Sequence, residues 1–176
     1  MKTSKLMNNK KCGANGFRQI LASITIALAS LPASAGQIAG KVVSVADGDT
    51  VTVLDANNKQ HKIRLSGIDA PERAQPFGRQ AREHLANLIA GEQVTVETSK
   101  TDRYGRSIGK VLAQNRDINL AMVAAGLAWH YKLYENEQPT ADRPLYSSAE
   151  AMARAQRLGL WRDPQPVAPW TWRSMK

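Results

Sequence analysis

The chain contains a single cysteine, Cys12, and only three histidines, His61, His84 and His130, whose spacing fits neither a metal site nor a catalytic triad. Cys12 precedes the part of the sequence expected to fold, which excludes disulfides, thiol nucleophiles and thiolate metal sites. Residues 1–35 contain no acidic side chain, and no internal repeat or long linker interrupts the rest. A length of 176 residues with 43% hydrophobic and 22% charged side chains fits one globular domain and sets aside wholesale disorder.

The five early bases, Lys2, Lys5, Lys10, Lys11 and Arg18, are followed by the uncharged run Ile20 to Leu31 and then by Pro32-Ala33-Ser34-Ala35. This order of basic, apolar and small residues describes a secretory signal peptide over 1–35 with cleavage after Ala35. The alternative is an uncleaved anchor, since no charge falls between Arg18 and Lys41. A span needs about 20 predominantly apolar residues, and Pro32, Ser34, Gly36 and Gln37 interrupt this one. The expectation is an exported monomer, in the periplasm or the medium, with no stable membrane association after cleavage. The formal charge of +9 falls to +4 once those five bases leave 19 against 15 acids, a moderately basic balance compatible with a polyanion partner.

Two valine-rich runs, Gln37 to Val45 and Thr50 to Asp55, bracket Asp47-Gly48, a hairpin signal. Lys62 to Ser66 alternates with period two, with Ile63 and Leu65 on one face and Lys62 and Arg64 on the other. Phe77, Ala81, Leu85 and Leu88 recur at helical spacing before Gly91, and two more strand-like runs follow at 93–98 and 108–113. The spacing then predicts a helix over 119–125 and another beginning at the capping pair Ser147 and Glu150 and ending at Gly159. Five short strands with a helix after the third predict an α+β fold, an OB-type barrel with three helices over 36–162. The tail, 163–176, has three prolines and two tryptophans and is expected to be irregular.

Four clusters carry candidate chemistry: Asp47-Gly48-Asp49-Thr50, Arg64, Ile68-Asp69-Ala70-Pro71-Glu72 and Asp102-Arg103-Tyr104-Gly105-Arg106. Singly, each has a structural reading as an Asx turn, a solvated charge or a tight turn. Together, adjacent strands can gather Asp49, Asp69, Glu72 and Arg64 at one mouth. Carboxylates without a His or Cys pattern make an oxygen-only site suited to a hard cation such as Ca²⁺, and two arginines suit a phosphate.

At these residues the sequence resembles the staphylococcal nuclease family. The resemblance runs from about Gly40 to Trp161 through DGDTV at 47–51, RLSGIDAPE at 64–72, DRYGR at 102–106, GLAW at 126–129 and GLW at 159–161. It implies a five-stranded OB barrel with three helices and a Ca²⁺ ion held by Asp49, Asp69 and the carbonyl of Ala70. By the same resemblance Glu72 is the catalytic carboxylate, and Arg64 and Arg106 bind phosphate. Ala70 stands where relatives often have threonine, a change that keeps a main-chain ligand. The loop Arg73–Pro76 is shorter than that of the best-known member. Of the family's stacking tyrosines, Tyr134 matches one, while Lys132 stands near the other and Tyr131 lies one step away.

The implied activity is Ca²⁺-dependent hydrolysis of DNA and RNA with low sequence specificity, leaving 3′-phosphate ends. Arg103, Tyr104, Tyr131 and Tyr134 are candidate substrate contacts, Tyr131 alternatively packing on the barrel, and Arg73, Arg79 and Arg82 flank the mouth either as steering charges or as a solvated face. Two rivals remain at this stage: a non-catalytic OB module for single strands, and a Ca²⁺-stabilised binding protein for acidic glycans. Whether Glu72 abstracts a proton or only orders water is open in the sequence.

Overall fold

The computed structural model describes residues 36–175; the signal-peptide expectation lies outside them. Strands β1 (Gly36–Val45), β2 (Thr50–Asp55) and β3 (Gln60–Leu65) form an antiparallel meander, followed by the two-residue β4 (Ile68–Asp69) and helix α1 (Gly78–Ile89). A second hairpin, β5 (Gln93–Thr101) and β6 (Ser107–Ala113), pairs back onto β1. Short β7 (Arg116–Asp117), α2 (Ile118–Ala124), β8 (Trp129–His130), α3 (Asp142–Ala155) and α4 (Pro169–Ser174) complete the order.

The five longer strands close into the expected barrel because β6 also pairs parallel with β3, placing Arg64 opposite Ile108 and Ile63 opposite Ser107. The period-two pattern of β3 survives intact: Ile63 and Leu65 are fully buried beside Val51, Val53, Val96 and Val111. The apolar stripe of α1 closes one end of this core with Ala81, Leu85 and Ile89, and α2 adds Ile118, Met122 and Val123. Burying each such aliphatic side chain contributes about 1.5–3 kcal/mol before chain entropy is set against it. Trp161 is buried, edge-on to Trp129 at 4.4 Å. Among the described residues no helix is long and apolar enough to cross a membrane.

The structure corrects three expectations. The helix expected from Ser147 begins at Asp142 and ends at Ala155, leaving Ser147 and Glu150 in its middle. Pro144 sits in its first turn, where a missing N–H is harmless, and Asp142 pairs there with Lys110 at 2.6 Å. Second, β5 continues to Thr101, past the strand run expected to end at residue 98, and only Asp102–Arg106 turns. Third, the tail is irregular over 163–168 but then folds into α4, with Pro169 at its first position.

Candidate active site

The turn between β1 and β2 is an Asx turn in which Asp47 Oδ1 accepts from the Asp49 N–H at 3.1 Å. Gly48 is required by space: a Cβ there would come within 2.7 Å of the Cβ atoms of both Ala70 and Ala81. Drawn inward by this packing, Asp49 is 6% exposed; its Oδ2 accepts from the Ala70 N–H at 2.7 Å, and its carbonyl accepts from Leu65. Asp69, on β4, is 1% exposed and pairs through its backbone with Trp129 of β8.

Arg64 leaves β3 between these two carboxylates. Its Nη1 lies 2.9 Å from Asp49 Oδ2 and its Nη2 2.8 Å from Asp69 Oδ1, while Nη1 also donates to the carbonyls of Leu65 and Ile68. Asp49 is nevertheless raised to about 7, first because burial penalises its charge, and also through repulsion from Asp47 and Asp69, with Arg64 and the Ala70 N–H opposing. Two buried carboxylates, one of which resists ionisation without a further positive charge, form a donor set that fits a hard cation. No cluster of three or more His, Cys, Asp or Glu side chains among the described residues could hold a metal unaided. The remaining ligands would therefore be main-chain oxygen, as at Ala70, and water.

Glu72 follows in a turn closed by Gln75, whose N–H donates to the Glu72 carbonyl at 2.8 Å and whose Oε1 accepts from the Glu72 N–H at 3.1 Å. Arg106 enters from the turn between β5 and β6. Asp102 organises that turn, accepting from the backbone of Tyr104 and Arg106 and from Arg106 Nε at 2.7 Å. Burial would raise the Asp102 carboxyl, but these bonds outweigh it and hold it low. The Nη groups of Arg106 make no protein hydrogen bond among the described residues.

Asp49, Arg64, Asp69, Ala70, Glu72 and Arg106 line one open cleft of about 940 Å³. Arg103, Tyr104, Tyr131 and Tyr134 line it too. Tyr104 is 68% exposed with the guanidinium of Arg103 4.9 Å from its ring centre, and Tyr134 packs edge-on to Tyr131 at 5.0 Å. Arg73, Arg79 and Arg82 do not line the cleft. Arg79 pairs with Glu83 within α1, and Arg82 donates to the Val45 carbonyl. The histidines stay apart from the cleft: His61 meets Asp55 and His130 meets Gln138, each at 2.8 Å.

Three residues of the site, Asn119, Gln75 and Arg173, carry no recognisable signal in the sequence. Asn119, wholly buried, accepts from the Val111 N–H and donates to the carbonyls of Ser66 and Gly109, fixing the turn after Arg64. Gln75 and Arg173 bind the tail to the cleft. Arg173 Nη2 lies 2.8 Å from Asp69 Oδ2 and its Nη1 2.8 Å from Glu72 Oε1. Nothing local marks these positions, because each is defined by a partner distant in the chain; only the Asx and period-two signals are local.

Residues 62–163 match the family described as staphylococcal nuclease homologue. A protein named micrococcal nuclease from Shigella flexneri is 43% identical over 172 residues, covering 93% of this chain and 95% of that protein. A protein of Escherichia coli O157:H7 named uncharacterized endonuclease is 43% identical over 148 residues, 84% of this chain and 92% of its own. Another uncharacterized endonuclease, from Haemophilus influenzae, is 41% identical over 133 residues, covering 76% and 71%. With a closed barrel that brings the motifs at 47–51, 64–72 and 102–106 to one cleft, the chain belongs to the staphylococcal nuclease family and is a nuclease that hydrolyses phosphodiester bonds.

Proposed function

We propose that the chain is a Ca²⁺-dependent nuclease acting on DNA and RNA with little base preference and leaving 3′-phosphate ends. The observation that carries this reading is the convergence of two buried aspartates, Asp49 and Asp69, with Arg64, Glu72 and Arg106 along one cleft. Asp49, Asp69 and the Ala70 carbonyl would hold the ion, which when bound supplies Lewis-acid neutralisation of the phosphate.

The side chains of the protein account for the remaining steps. A phosphodiester anion repels an incoming hydroxide, so Arg106, with its Nη groups uncommitted, binds a non-bridging oxygen and stabilises the charge that grows there. Arg64 supports the opposite side through a planar fork that lysine cannot reproduce. Glu72 accepts the proton of the attacking water, and the 5′-oxygen departs in line with that attack, so the phosphate stays on the 3′ side. Tyr104 and Tyr134 offer exposed ring faces, and Tyr131 joins them when Trp170 is off its ring; such faces accept any base and account for low specificity.

Products from plasmid, single-stranded DNA and RNA, with Ca²⁺ or with excess chelator, test this reading. Expected are short fragments with 3′-phosphate termini that vanish with the chelator; full cleavage in chelator removes the ion from the mechanism. We further propose, from the order of residues 1–35, that the enzyme is exported as a monomer, to the periplasm or the medium, beginning at Gly36, which intact mass of the processed protein checks.

A further inference from the structure

The C-terminal segment lies across the cleft and is fastened by contacts outside the reacting groups. Gln75 Nε2 donates to the Val167 carbonyl at 2.6 Å. The Trp170 ring stacks parallel on Tyr131, with centres 5.1 Å apart and planes 8° from coplanar, and meets Trp129 edge-on at 5.5 Å. So placed, α4 delivers one guanidinium to two of the cleft's acids, Asp69 and Glu72. Arg173 Nη2 donates to Asp69 Oδ2 at 2.8 Å, and its Nη1 donates to Asp69 Oδ1 at 3.3 Å and to Glu72 Oε1 at 2.8 Å.

Because Arg64 already takes Asp69 Oδ1, the two arginines together occupy both oxygens of a carboxylate that is 1% exposed. A cation entering beside Asp69 must displace at least one of them. Of the two, Arg173 has the weaker hold: its side chain is 44% exposed, against 14% for Arg64, so its ion pairs are screened by solvent. A six-residue helix also has little stability of its own, so lifting α4 is a local opening rather than a global one.

We propose that Arg173 is a tethered cation that competes with the divalent ion for Asp69 and occupies Glu72, making 163–175 an autoinhibitory strap. The proposal rests on the reading of Asp49 and Asp69 as metal ligands. In the closed strap Asp69 is neutralised without metal, and the Glu72 oxygen that would meet water is bonded to a guanidinium. Metal binding and strap closure are then mutually exclusive, and apparent affinity is reduced by the fraction of molecules with the strap open.

Calorimetric titration of Ca²⁺ into the chain 36–176, wild type, Arg173→Gln and Trp170→Ala, tests this together with hydrogen exchange of amides 169–175. Arg173→Gln should bind Ca²⁺ roughly ten-fold more tightly, the factor for a strap open about one tenth of the time. Trp170→Ala should shift affinity the same way while keeping the guanidinium, because it loosens the anchor. Ca²⁺ should accelerate exchange at 169–175 in the wild type. Equal or weaker Ca²⁺ affinity in Arg173→Gln, or unchanged exchange, overturns the strap while leaving the metal site standing. Absence of Ca²⁺ binding to every chain overturns the strap and the metal reading together.

Discussion

Asp49 and Glu72 are both acids of the cleft, and their surroundings set them different tasks. Burial raises Asp49 to about 7 from 3.8, so its charged form is disfavoured in the metal-free fold. A raised acid removes stability as pH climbs from its unfolded value through its folded one, with the loss levelling off above about 7. Thermal melts in chelator should therefore show Tm falling from about pH 4 to about pH 7. Saturating Ca²⁺ should flatten that slope, since the ion binds the ionised form, and Asp49→Asn should abolish it. Glu72 is closer to solvent and stands at the cleft wall beside Arg173. Glu72→Gln keeps its size and should lower turnover by about 10²-fold while single-strand binding survives. Arg106→Lys keeps a charge but loses both the Nε bond to Asp102 and the free fork, so initial rates should reveal a loss of about 2–4 kcal/mol of transition-state stabilisation.

Elements whose signal lies within a few residues were legible in the sequence. The alternation in β3, the Asp47-Gly48 turn and the stripe of α1 needed only local periodicity; the first two stand, and the stripe stands at Ala81 and Leu85, with Phe77 before the helix in the left-handed region and Ile89 more buried than Leu88. The parallel pairing of β3 with β6 was legible only through the implied barrel, because its partners are 44 residues apart, Ile63 with Ser107. The start of α3 differs from the expectation because Glu150 does not cap the helix but is a buried acceptor for the His130 N–H at 3.1 Å, with Arg154 at 3.5 Å. Asn119 escaped notice for the same reason: an asparagine beside a short helix is unremarkable until the carbonyls of Ser66 and Gly109 are found against it. Asn119→Ala would leave the Val111 N–H and those carbonyls buried without their partner. Urea unfolding should show a loss of about 2–4 kcal/mol. Turnover should fall as well, because the Ser66–Gly67 turn sets the geometry between Arg64 and Asp69.

Across the whole molecule, charge is placed more selectively than its sum implies. Residues 36–176 carry a net +4, and the acids of the cleft are mostly tied up: Asp49 and Asp69 by Arg64, Asp102 by Arg106. Arg103 has no such carboxylate among the described residues; it lies over the exposed Tyr104 ring at the cleft rim. Arg79, by contrast, is 83% exposed on α1, paired with Glu83 and outside the cleft lining. If bound strands follow the cleft, Arg103 meets a phosphate and Arg79 meets none. Each phosphate neutralised on a single strand contributes roughly 0.7 to the slope of log affinity against log salt. Anisotropy titrations of labelled single-stranded DNA with the Glu72→Gln chain, between about 50 and 200 mM salt, compare the two sites. Arg103→Ala should weaken binding similarly for every sequence and reduce the slope by roughly 0.7. Arg79→Ala should leave both affinity and slope unchanged. A slope lowered equally by either substitution would mean that the polyanion spreads over the α1 face and is not confined to the cleft.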